Sequence, residues 1–154
     1  MTVAERIARF IQDQGHRVEV THANGAEELS ELVFRARGQV FSVSVSELEP
    51  QRLSISTAYE IPNWVQNRSQ ALDALGEAEG AFPEARFMLA QEDTIFVATV
   101  EYQASEVDAF VQHFWTLVGR LREAGTAAVE RMVDRSESKA AADKFIRQFM
   151  KGER

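Results

Sequence analysis

Cysteine is absent from this 154-residue chain. That excludes a disulfide framework, a thiolate metal site and thiol catalysis. Long apolar runs are absent too. The longest, Ile95–Val100, is interrupted only by Thr99 and falls far short of the ~18 residues that a membrane span needs. Basic charge is in deficit, with 17 Lys and Arg against 24 Asp and Glu and a net charge of −7, which argues against a dedicated nucleic-acid binder. The opening MTVAERIARF carries charges where a secretory signal needs an apolar stretch. A cytoplasmic location is therefore the expectation. Internal repeats and low-complexity segments are missing, and so are the GxGxxG, Walker, GxSxG and HExxH signatures. No enzymatic activity, cofactor or metal is expected on this reading.

What is present is enough for a folded domain. Hydrophobic residues make up 45 % of the chain, which excludes general disorder. A chain of this length buries roughly 68–70 % of its unfolded surface and can hold a core without staples.

Thr2 and Glu5 make a capping-box pattern, and Val3, Ile7, Phe10 and Ile11 share one helical face. Gly15 stands where a left-handed cap belongs, so the first helix is expected over Val3–Gln14. Strands are expected at Arg17–His22, Leu29–Ala36, Gln39–Ser46 and Arg52–Tyr59. In the last two, Phe41, Val43, Val45, Leu53 and Ile55 oppose Ser42, Ser44, Ser46, Ser54 and Ser56. This alternation gives an antiparallel meander with one apolar and one serine-rich face. Ile61–Pro62–Asn63 breaks the sheet. A helix is expected from Asn67, with Gln70 at its capping-box position and Gly76 or Gly80 at its end.

Strands at Arg86–Ala90 and Thr94–Tyr102 follow. The second is apolar on both faces, which marks a central strand or one whose second face meets another chain. Ser105 caps a helix carrying Val107, Phe110, Val111, Phe114, Val118 and Leu121, expected to end at Gly125. Gly119 within it reads as a point of close helix-on-sheet packing. A last amphipathic helix with Phe145, Ile146, Phe149 and Met150 is expected beyond the polar stretch 135–138. Phe41, Val43, Leu53, Ile55, Val97, Phe110, Phe114 and Val118 are the expected core.

Strand runs followed by helices give an α+β fold: an antiparallel sheet of about five or six strands, helices packed on one face, and a C-terminal helical tail. In domain terms, residues 1–125 form the α+β body and 126–154 a C-terminal amphipathic extension. The first helix ending at Gly15, the meander FSVSVSELEPQRLSISTAYEIP, the FMLAQEDTIFVATVEY hairpin and the helix from Ser105 together resemble the YbjN-like family, which shares the type III secretion chaperone-like fold. The likeness covers about residues 3–124. Where relatives carry an Asn-rich signature late in the second helix, this chain has LDALGEAEG, so no residue role is carried over. The resemblance implies a bacterial, chaperone-like or regulatory protein, linked to stress or sensory regulation, that binds a protein partner or client as a homodimer.

Candidate chemistry is sparse. His16, His22 and His113 stand on separate expected elements. The acidic pairs Glu27/Glu28, Glu47/Glu49, Glu77/Glu79 and Glu92/Asp93 fall in turns or loops, where carboxylates are ordinarily solvated. The serine rows suit a solvated sheet face or a polar binding face, with no base in sequence reach to activate a hydroxyl. The partner-binding candidates are therefore apolar: Trp64, Val65, Phe145, Ile146, Phe149 and Met150. Charge is divided unevenly: residues 120–154 hold nine basic and six acidic side chains (+3), and residues 1–119 hold eight and eighteen (−10). A basic amphipathic helix on an acidic body suits contact with protein. The alternative reading is a small-ligand-binding or enzymatic domain with a cleft between sheet and helices.

Overall fold

A computed structural model describes residues 2–22, 29–46, 52–62, 65, 67–103 and 107–152, and of residues 103 and 135–152 the backbone alone. The elements run α1 (Val3–Asp13), β1 (Val18–His22), β2 (Leu29–Ala36), β3 (Gln39–Ser46), β4 (Arg52–Glu60), α2 (Arg68–Ala81), β5 (Arg86–Ala90), β6 (Ile95–Gln103), α3 (Val107–Gln112) and α4 (Phe114–Gly152). The strands form one antiparallel sheet in the order β1-β2-β3-β4-β6-β5. The fold is α+β, with the helices on one face.

Local chemistry explains the ends of α1. Thr2 accepts from the Glu5 amide at 3.1 Å and Glu5 accepts from the Thr2 amide at 3.1 Å, closing the capping box. Gly15 leaves the helix at φ +91°, a conformation that costs glycine little. α2 begins where expected, after Asn67, but its cap is not a capping box with Gln70. Asn67 caps it by accepting from Ser69 at 2.8 Å, two residues on, and the helix runs through Gly76 and Gly80 to Ala81. Glu77 and Glu79 therefore lie on a helix, not in a loop.

The strand period of two sorts the sheet's side chains. Leu32, Phe34, Phe41, Val43, Val45, Leu53, Ile55, Phe96, Ala98 and Val100 are buried under the helices. Val97 is a correction: it pairs with Ala58 and Met88 on the opposite face, and its neighbour Phe96 takes the core position. α1, α3 and α4 close the main core through an aromatic chain in which Phe114 meets Phe10, Phe34 and Phe110 at 5.7, 5.5 and 5.7 Å. A second cluster joins Ala71, Ala74, Leu75 and Ala78 of α2 to Phe96, Ala128 and Met132.

The C-terminal third departs from expectation at two points. The helix from residue 107 is interrupted at His113, separating α3 from α4. α4 then runs 39 residues without a break at Gly125. Gly125 keeps negative φ, so it is no left-handed cap. It lies under the Tyr59 ring, where a Cβ would come closer than 3.0 Å to ring carbons Cε2 and Cζ and to the hydroxyl oxygen. Gly119, the expected close-packing site, faces open space. The glycine that lets helix and sheet approach is thus one and a half turns further on.

Candidate functional site

The face of the sheet turned away from the helices is uncovered and carries a defined pattern. Its registers follow from strand pairing. One row runs Ala58–Val97–Met88 across β4, β6 and β5, with Val40 on β3 beside it and Arg35 opposite Val40 on β2. The next row runs Val33–Ser42–Ser56–Thr99–Arg86. Beyond it comes Glu31–Ser44–Ser54–Glu101. On the other side of the apolar row, Ile95 lies between Glu60 and Ala90.

Val40 is 46 % exposed and Met88 66 %, the latter a large apolar side chain with little cover. Val33, Ile95, Val97 and Ala90 are half-buried by their own sheet neighbours. A shallow concavity of about 580 Å³ opens here, lined among others by Glu31, Val33, Ser42, Ala58 and Val97. The Ser42 hydroxyl donates to Glu31 at 2.7 Å. The serine rows make this face low, because a serine rises little above the backbone and leaves it open to close approach.

The residues singled out in the sequence lie in several places. Trp64 lies outside the described residues, as do Glu27, Glu28, Glu47 and Glu49. Val65 is half-buried and packs against the second cluster, and its amide donates to the Pro62 carbonyl at 2.9 Å. Phe145, Ile146, Phe149 and Met150 belong to α4, in the part where only the backbone is described.

The potential chemical groups are dispersed. His16 contacts the Arg35 carbonyl oxygen through Nδ1 at 3.1 Å and lies 4.8 Å from the Trp115 ring. His22 pairs with Ser30 at 2.8 Å, and His113 sits at the α3–α4 junction. Asp93 pairs with Arg68 at 3.1 Å, and Glu77 with Arg131 at 3.7 Å. Glu79 accepts from the Phe87 amide at 2.9 Å. Among the described residues, no three His, Cys, Asp or Glu side chains group as metal ligands do. Two groups depart from their ordinary titration. Burial pushes the Tyr59 hydroxyl up, only partly offset by Gln39 and Arg122. Glu84 is held below the usual carboxylate range, chiefly by its own backbone amide; burial opposes this, and Arg120 adds to it.

Sequence reasoning missed Val40 and Met88. Their signal is the alternation within β3 and β5, but it acquires meaning only when β6 inserts between β4 and β5 and lines Val97 up with both Ala58 and Met88.

No protein-family model matches the chain, and no curated protein matches its sequence. Solved structures do match by shape. An uncharacterized protein from Methanothermobacter thermautotrophicus superposes with a TM-score of 0.61 at 11 % identity, over 87 % of this chain and 99 % of that one. YbjN from E. coli, a proposed transcription regulator, gives 0.53 at 12 % identity, over 88 % and 96 %. At such identities the likeness is one of fold.

Proposed function

We propose that this chain is a non-enzymatic protein-binding module of the YbjN-like kind, chaperone-like or regulatory in role, working in the cytoplasm as a homodimer. The observation that carries this reading is the uncovered sheet face, where an apolar row from Val40 to Met88 is bordered by low serine rows and charged ends. Such a face offers area and shape to another protein, and no group on it is arranged for bond-making chemistry. The concavity supports binding over the cleft alternative, because it opens on the outer side of the sheet and not between sheet and helices. The fold likeness to YbjN, itself a proposed regulator, is compatible with the same reading. Residues 1–125 supply the sheet face, and 126–154 supply an amphipathic helical extension that adds a second contact. Among the described residues, no helix is long and apolar enough to cross a membrane.

The test is affinity capture from the native host with the full chain as bait, against a Val97→Lys, Met88→Lys bait. Proteins enriched only by the native face are the expected result. Equal recovery by both baits, or none by either, refutes the reading.

A further inference from the structure

We propose that the open sheet face receives residues 139–152 of a second copy of this chain, each copy laying the end of α4 on the other's sheet. The inference rests on the protein-binding reading above and names its first partner.

The length of α4 is the first argument. α2 runs antiparallel to it, as Arg131 pairing with Glu77 of α2 and Arg120 pairing with Glu84, three residues past the end of α2, show. Continuing that register brings Arg68, the first residue of α2, level with about residue 140. The remaining dozen residues of α4 extend roughly 18 Å past the start of α2 at 1.5 Å each. Helices of this length are marginal in water without a covered face. The sequence supplies one, since Ala142, Phe145, Ile146, Phe149 and Met150 recur at helical spacing. A straight helix packed under its own sheet cannot turn back to reach that sheet's outer side. A second copy can present it.

Charge selects among the ways two copies could meet. Residues 139–152 hold Lys139, Lys144, Arg147 and Lys151 against Asp143, a net charge of +3. Two such ends laid together repel. Residues 1–119 of the partner carry −10, and Glu19, Glu31, Glu60 and Glu101 lie on the open face beside Arg35, Arg52 and Arg86, which leaves it one negative charge in excess. Two sheet faces laid together would bring these acids onto one another's level. Helix on sheet pairs opposite charges and covers both apolar surfaces.

Size agrees. The apolar row spans three strand spacings, about 14 Å, within the reach of a helix end of roughly 18 Å. One helix end and the sheet beneath it bury roughly 1,000 Å², the lower limit of a specific contact, and the reciprocal pair brings the total to about 2,000 Å².

The absence of cysteine makes the test direct. Ser56→Cys marks the centre of the open face, and Ala142→Cys lies one helical turn before Ile146. The two full-length variants are purified, mixed and treated with a short bis-maleimide. A two-chain product from the mixture, well above that from either variant alone, is the expected result. Met88→Lys or Val97→Lys placed in the Ser56→Cys chain should abolish it, and should raise the dimer Kd about tenfold or more by analytical ultracentrifugation, as an unpaired charge forced into an apolar contact does. Both sites are on the exposed face, and circular dichroism checks that the variants fold. Linkage by Ala142→Cys alone would mean that the helix ends pair with each other. Linkage by Ser56→Cys alone would mean that the sheets meet. A monomer at tens of micromolar would mean that no second copy binds. Each of these overturns the proposal. The broader protein-binding reading survives them if capture still recovers a face-dependent protein, and falls with them if it does not.

Discussion

Replacing Gly125 by alanine tests the link between helix and sheet most sharply, because two general expectations for it have opposite signs. In a helix interior Gly→Ala ordinarily stabilises by about 1 kcal/mol. Here the added methyl would enter the Tyr59 ring. Tyr59 stacks on Phe96 at 5.1 Å and directs its hydroxyl toward the Leu121 and Arg122 carbonyls at 3.4 Å. To admit the methyl, the ring must shift or α4 must rise from β4. Overpacking of this kind costs about 1–3 kcal/mol, and loss of the stack adds about 0.5–1.5 kcal/mol. After the gain in helix propensity, the net loss is about 2 kcal/mol. For a chain of this size that lowers Tm by roughly 4–8 °C.

Urea denaturation followed by tryptophan fluorescence and circular dichroism measures it, with Gly119→Ala as the control. Gly119 has open space around its missing Cβ, so that variant should gain up to about 1 kcal/mol. In a Tyr59→Ala background the Gly125→Ala substitution should become favourable, because the obstruction is gone. The coupling in that cycle should reach about 3 kcal/mol, the difference between a loss of about 2 and a gain of about 1. A Gly125→Ala protein as stable as the parent would show that the Tyr59 ring does not hold α4 where the structure has it.

Phe114 is fully buried among four aromatic rings, so Phe114→Ala should cost about 3–5 kcal/mol in urea denaturation; a loss below about 1 kcal/mol would mean that α4 faces elsewhere. The raised Tyr59 hydroxyl favours the protonated form in the folded state. Its contribution to stability is complete below the unfolded value of 10.0 and is lost as pH climbs through the folded value. Stability should therefore fall above about pH 10 more steeply in the parent than in Tyr59→Phe, as read from denaturation midpoints across that range.

The elements that could be read from sequence share one property: their signal is local. The serine alternation of β3 and β4 places Phe41, Val43, Leu53 and Ile55 on one face whatever the rest of the chain does. The Thr2–Glu5 box and Gly15 delimit α1 in the same way. Errors arose where the deciding partner is distant in sequence. Gly125 resembles a helix stop until Tyr59, 66 positions earlier, is found over it. Val97 resembles core because β6 is apolar on both faces, and only the insertion of β6 between β4 and β5 shows which face the helices cover. Gly76 and Gly80 both suggest a stop for α2, which ends at Ala81, one residue past the second. Ala74, Ala78, Ala128 and Met132 carry it through Gly76 by packing α2 against α4.

The same reasoning bears on the open face. Antiparallel sheets commonly leave one side to water, and a purely solvated side reads as polar at every outward position. Here Ser42, Ser44, Ser54 and Ser56 obey that pattern on β3 and β4, whereas Val40, Ala58, Val97 and Met88 break it in a single line across four strands. Scattered apolar residues on a surface need no explanation, but a contiguous row does. Nothing in the packing of the described core requires that row, because the core side chains of β2, β3, β4 and β6 are buried under the helices on the opposite face. Replacing Met88 with threonine should therefore leave stability within about 0.5 kcal/mol of the parent, while weakening whatever association the face supports. A larger loss in the isolated monomer would show that the row serves the fold, and the case for a binding face would lose its main support.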